Sequence, residues 1–391
     1  MITQHTRPAR LLALAAALLT APLALTTAPA EAVTGAPATT TAYNYTARLD
    51  IGNGTRACTG TLVDSDWLLT AASCFVDNPA AGLTVPAGAP QLPTTATIGR
   101  TDLTTTTGTV TQVVELVPRT DRDLVLARLA RPVPTTTATP ITLATTAPTT
   151  GEQLTAAGYG RTSDEWAPLK LHTGTFSVTA TDTTTAGING QPGTAICAGD
   201  AGGPLVRLTG TQTTLAGINS RSWQAGCYGT DTTETRTGAI TTRIDDLASW
   251  VTTNVNAPHP LTNTGTGRCL AVPGASTENL VGLIQWTCTG NNEQQWQLES
   301  VAGGNGDRFR VRNVNSNKCL AMPAGNTDDL TQAIQWTCSS NTDQTWIHDS
   351  LNRLRNLNSD KCLAIANSST VIGTKAIQWP CSTNTDQRWV W

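Results

Sequence analysis

Up to about residue 256, apolar and polar positions alternate in short runs: "YTARLDI", "GTLVDSDWLLTA", "VTQVVELV", "LVLARL" and "TLAGIN", each bounded by turn residues. Period-two patterning in runs this short predicts β-strands with one face buried. Helical period shows only in "IDDLASWVTTNV", residues 244–255. Many strands followed by one helix predict an all-β, barrel-type domain over 33–256. "NAPHPLTNTG", residues 256–265, reads as a proline-bearing linker, with the join at 257–262.

From 263 to 391 the pattern repeats three times. The repeats open on "CLAVP", "CLAMP" and "CLAIA" at Cys269, Cys319 and Cys362. They continue to "IQWTC", "IQWTC" and "IQWPC", and close on Trp296, Trp346 and Trp389. In each, the two cysteines stand 19 apart and the closing tryptophan follows the second by 8. A unit of this size cannot bury its own apolar face, so three must share one core.

Composition narrows the function. The formal charge is −3 and 14% of residues are charged, with no basic patch, which excludes a nucleic-acid surface. Arg7 and Arg10 precede an apolar run to Leu25 and then small residues, the order of a secretory signal peptide over 1–32, with cuts after Ala30 or Ala32 both fitting. The run is shorter than the roughly 20 apolar residues of a membrane span, and no later stretch supplies one. Export places the ten cysteines where disulfides persist. There is no CxxC pair and no His/Cys cluster, so neither a metal nor a cofactor is implied.

The first half resembles the trypsin-like (chymotrypsin-fold) serine proteases, a double β-barrel with a C-terminal helix. "CTGTLVDSDWLLTAASC" matches the segment of the catalytic histidine, whose place is taken by Ser73. "DLVLARL" puts the buried catalytic aspartate at Asp123, and "ICAGDAGGPL" puts Ala201 where the nucleophilic serine belongs. The resemblance implies disulfides Cys58–Cys74 and Cys197–Cys227, an oxyanion hole from Gly199 and Ala201, and Asp200 as partner of the mature N-terminal amine. Cleavage after Ala32 would make that amine Val33's. It also implies a specificity pocket based on Ala195, with Gln224 and Gly238 at positions where the family has glycine. Neither the hydroxyl nor the imidazole that the chemistry needs is present. His5, His172, His259 and His348 supply no substitute base, and a hydrogen bond from Ser73 to Asp123 is the expected repair for the lost histidine.

The second half resembles the ricin B-type lectins, a β-trefoil of three repeats. That resemblance implies core roles for Trp296, Trp346 and Trp389, and sugar-stacking faces on Trp286, Trp336 and Trp379. The family's sugar-binding aspartate is lost at Ala271, Ala321 and Ala364. Glu293, Asp343 and Asp386, each followed by Gln294, Gln344 and Gln387, are the remaining polar candidates. Cys269, Cys288, Cys319, Cys338, Cys362 and Cys381 complete the disulfide-forming set. Three functions stay open: an inactive protease homologue that is a binding scaffold with a protein partner, coupled to a carbohydrate-binding module; an active secreted endopeptidase targeted to polysaccharide; and a purely carbohydrate-binding protein.

Overall fold

The computed structural model describes residues 37–38, 41–303 and 306–391. Residues 1–32, expected to form a signal peptide, with His5 among them, and Val33 lie outside the described residues. Strands β1 (Thr46–Ile51), β2 (Arg56–Asp64), β3 (Trp67–Thr70), β4 (Thr94–Ile98), β5 (Thr109–Pro118) and β6 (Val125–Leu129) close a barrel in the order β1-β2-β3-β6-β5-β4. The alternation of "TARLDI" sends Ala47, Leu49 and Ile51 inward, each at most 1% exposed. Closing the sheet on itself leaves no unpaired edge.

The second barrel uses β8 (Gln153–Gly158), β9 (His172–Thr181), β10 (Thr185–Gly190), β11 (Pro204–Thr209), β12 (Gln212–Ser222) and β13 (Gly238–Arg243), with β7 (Thr142–Leu143) added beside β12. The β11–β12 pairing closes this ring. The helix α1 spans Ala248–Val255, four residues shorter at its start than the apolar period suggests. Those residues are held in a turn instead, where Arg122 pairs with Asp246 at 2.8 Å and Arg243 with Asp245. Val251, Leu247 and Ile244 then pack into the first barrel's apolar cluster.

The remaining chain is β-rich and threefold repeated. Strands Cys269–Ala271, Cys319–Ala321 and Cys362–Ile365 pair with Ile284–Trp286, Ile334–Trp336 and Ala376–Trp379. Trp296, Trp346 and Trp389 are fully buried, and each indole N–H donates to the carbonyl of Leu270, Leu320 or Leu363 at 2.9–3.0 Å. A buried indole needs that partner, so the core role expected for these three is met. The glutamines of "IQW" have a task that their local pattern does not announce. Gln335 donates to Ser276 and Glu278 carbonyls, Gln378 to Asn326 and Asp328, and Gln285 to Ser369 and Val371. Each thus ties its own repeat to a loop of another, and the three ties run round the ring.

All ten cysteines are paired: Cys58–Cys74, Cys197–Cys227, Cys269–Cys288, Cys319–Cys338 and Cys362–Cys381. The segment 257–262 is not a free tether. His259–Pro260 pairs with Trp296 and Gln295, and Thr262 pairs with Cys269. The halves also touch directly, through Arg131 to the Ser350 carbonyl at 2.9 Å and Arg128 to the Trp391 carbonyl. Burial and the Arg128 charge hold the His259 imidazole down to about 4 at this junction.

Candidate functional site

A cleft of about 470 Å³ lies between the barrels, lined among others by Ser73, Asp123, Ala201 and Ser220. Each comes from a different place in the chain. Ser73 sits in the 3₁₀ turn Ala72–Phe75 that follows β3 and is clamped by Cys58–Cys74. Asp123 immediately precedes the segment entering β6, and Ser220 lies near the end of β12. Ala201 occupies the loop after Cys197.

Asp123 is 7% exposed, so its charge must be met from within. The Ser73 N–H donates to Oδ1 at 2.8 Å, the Ser73 hydroxyl to Oδ2 at 3.0 Å, and the Ser220 hydroxyl to Oδ2 at 2.6 Å. Of these three donors, only the Ser73 hydroxyl belongs to the side chain that stands at the histidine position. No histidine lines the cleft among the described residues. His172 begins β9 and pairs with Gly158, His259 lies at the junction of the halves, and His348 is buried in the trefoil, where desolvation pushes it down to about 3.

The loop that carries Ala201 is pinned from the first barrel. Thr59 donates its hydroxyl to the Gly199 carbonyl at 2.8 Å and its N–H to the Ala201 carbonyl at 2.9 Å. Gly199 has φ +103°, a left-handed backbone that suits glycine. The N–H groups of Gly199 and Ala201, the expected oxyanion hole, take no part in the Thr59 bonds that pin this loop.

Asp200 points the other way. It is fully buried, and accepts from the Gly160 N–H at 2.8 Å and the Cys197 N–H at 2.9 Å. A Cβ at Gly158 or Gly160 would collide with its carboxylate, so both glycines are required by this close approach. Burial pushes the Asp200 carboxyl up to about 7.

The pocket residues are distributed differently from their spacing in the sequence. Gln224 lines the cleft, but its backbone is left-handed at φ +64° and its Oε1 accepts from the Ala198 N–H at 3.0 Å. Ala195 is buried against Cys197 and Cys227 and does not line the cleft. Gly238 lies under the Trp223 ring, where an added Cβ would meet the indole at 3.3 Å.

In the trefoil, Trp286, Trp336 and Trp379 are 43%, 38% and 39% exposed and stand opposite Cys269, Cys319 and Cys362. Gln294 is buried, with Oε1 accepting from Thr289 N–H and Nε2 donating to the Thr287 carbonyl. Gln344 and Gln387 repeat this arrangement, so these amides are already committed to their own turns. Burial pushes the Asp343 carboxyl up; Glu293 is half-buried and Asp386 is buried.

Two family models match the chain. One, described as Trypsin, covers residues 32–251, and one, described as the ricin-type beta-trefoil lectin domain, covers 257–389. Among solved structures, neuropsin, a serine protease expressed in the limbic system of mouse brain, is 20% identical over 55% of this chain and 95% of its own, with a TM-score of 0.43. The designed 3-fold symmetric protein ThreeFoil is 29% identical over 34% of this chain and 97% of its own, with a TM-score of 0.32. No curated protein matches the chain.

Proposed function

The chain belongs to the trypsin family, and we propose that within it this protein has exchanged catalysis for binding: a secreted protease homologue whose cleft is a binding scaffold, joined to a carbohydrate-binding module. The observation that carries this reading is the three-donor shell around Asp123 in a cleft with no imidazole among the described residues. Acyl transfer needs a nucleophile, a base and an orienting carboxylate acting together. Only the carboxylate is present, and Ala201 has no atom that can attack. The oxyanion-hole donors and binding alone would leave about 10³–10⁴-fold acceleration over water, against total accelerations of about 10⁶ or more in working enzymes. Five disulfides and the leader pattern support export.

The trefoil half supplies the carbohydrate reading. Exposed Trp286, Trp336 and Trp379 offer an apolar face with a polar edge, suited to a pyranose ring, and Glu293, Asp343 and Asp386 are the acceptors that would replace the lost aspartate. For the cleft, Asp200 in its glycine cradle is the natural partner of Val33's amine after cleavage, which would hold the loop in its working shape without an activation cut.

Two measurements test the reading of the cleft. The mature protein is expected to leave casein and small esters intact and to take up no fluorophosphonate probe. Restoring both residues, Ser73→His with Ala201→Ser, is expected to bring weak ester hydrolysis, while either change alone brings none. Turnover by the unaltered protein, or by Ala201→Ser alone, would mean that another base serves the site and that the protein is an endopeptidase directed to polysaccharide.

A further inference from the structure

Beyond Gly199 the cleft continues into a second cavity of about 280 Å³, and the two share Arg56, Ala57, Ala198 and Gly199 as a common wall. Three arginines, Arg48, Arg56 and Arg161, line this second cavity, and no acidic residue among the described residues does. Arg48 reaches Asp50 at 3.0 Å, yet its Nε is buried with no partner among the described residues. Arg56 is locked to the carbonyls of Cys74 and Val76, and its carboxylate contact is the exposed Asp77. Arg161 lies 3.4 Å over the centre of the Trp166 ring, donates to the Tyr228 carbonyl at 3.5 Å, and has no carboxylate partner among the described residues. Burial pulls the Arg161 guanidinium below its ordinary value.

Arg48 and Arg56 each have one carboxylate partner and Arg161 has none among the described residues, so positive charge is in excess around the cavity, and a buried donor without a partner costs free energy. An anion seated among them relieves both. The planar fork of arginine matches a carboxylate, and stacking on Trp166 fixes Arg161 in place before any ligand arrives. The wall shared by the two cavities is main chain and small residues apart from Arg56, so the passage suits a narrow extended chain better than a pyranose ring. We propose that this pocket binds the side-chain carboxylate of an acidic polypeptide whose extended backbone lies in the adjoining cleft. The proposal deepens the scaffold reading and rests on it for the position of the backbone.

Fluorescence anisotropy with fluorescein-labelled hexaglutamate and hexaglutamine tests it on the full mature protein. Hexaglutamate is expected to bind, hexaglutamine to bind about tenfold or more weakly, and rising salt to erase the difference. Arg161→Gln is expected to cost about tenfold or more in hexaglutamate affinity, whereas Arg161→Lys keeps part of it, both with melting temperatures near the parent's. Ala201→Leu, which narrows the cleft, is expected to weaken hexaglutamate as well. Equal binding of the two peptides, or an Arg161→Gln variant that is folded and binds unchanged, overturns the acidic pocket while leaving the scaffold reading intact. Hexaglutamate binding that depends on Arg161 but ignores Ala201→Leu supports the pocket and removes the backbone from the cleft. Tighter binding of polygalacturonate or inorganic phosphate than of hexaglutamate would overturn the polypeptide as occupant.

Discussion

The two halves treat their key residues in opposite ways. In the protease-like half every candidate functional position is single, so on the proposed reading Ser73 and Ala201 would suffice to remove the chemistry while barrels, disulfides and the Gly199 loop persist. In the trefoil half each structural device occurs three times: the buried tryptophan, the disulfide and the glutamine tie are the same in every repeat. Variation there reaches both the core, where Val272, Met322 and Ile365 are equivalent buried residues, and the turns. The left-handed position before each "IQW" is Leu280, Leu330 or Gly373, with φ of 64°, 64° and 83°. Scaffolds outlast sites because packing is spread over many contacts, whereas chemistry is lodged in a few atoms.

The sharpest way to break this comparison is inside one repeat. Trp346→Ala is expected to cost about 3–5 kcal/mol, since it empties a fully buried indole and orphans the Leu320 carbonyl. Trp336→Ala, ten residues earlier and exposed, is expected to cost less than about 0.5 kcal/mol but to reduce retention on insoluble polysaccharide. Thermal melting and pull-down on both variants check this, and similar melting losses would place Trp336 in the core.

The next effect concerns Asp200, whose carboxyl moves from an ordinary 3.8 up to about 7 on burial. Between those values the folded state keeps a proton that the unfolded chain has lost. Before cleavage, stability from this group is therefore fully present below about pH 4 and is lost as pH rises through 7, at most on the order of 4 kcal/mol, whereas Val33's amine, seated against the carboxylate as proposed, is expected to reverse the slope in the mature protein. Asp66 is pushed up to about 7 as well, so the informative quantity is the difference between the parent and Asp200→Asn across this range. A slope of the opposite sign, with stability lost on acidification, would show that Val33's amine holds the carboxylate charged.

The smallest effect tests the shell around Asp123. Ser73→Ala removes one of three donors to a buried carboxylate and is expected to lower the denaturation midpoint by an amount equivalent to about 1–3 kcal/mol. No change would mean that the remaining Ser73 N–H and Ser220 hydroxyl suffice.

Much of this organisation is legible in the amino-acid sequence. The repeat is visible because its cysteines and tryptophans recur at fixed spacing, and the lost triad because "TAASC" and "GDAGGPL" keep every neighbour of the missing residues. Less is legible where a side chain's task depends on distant backbone. Gln224 has the spacing of a pocket rim, but its left-handed backbone turns the amide back to Ala198. The "IQW" glutamines are conspicuous by repetition, yet nothing local says that they reach into another repeat. Arg48, Arg56 and Arg161 are scattered through the chain and line one cavity only because β1, the start of β2 and the loop after β8 come together there.

The trefoil's ring of ties has one further consequence. Thr262 pairs with Val390 as well as with Cys269, so the start and end of the repeat array are neighbours in one sheet. Gln285 of the first repeat holds a loop of the third just as Gln335 holds a loop of the first. A ring closed in this manner has no intrinsic first member. A circular permutation between repeats would leave every one of these glutamine ties in place. What anchors the order here is the neighbouring barrel, whose junction at His259 chooses the opening.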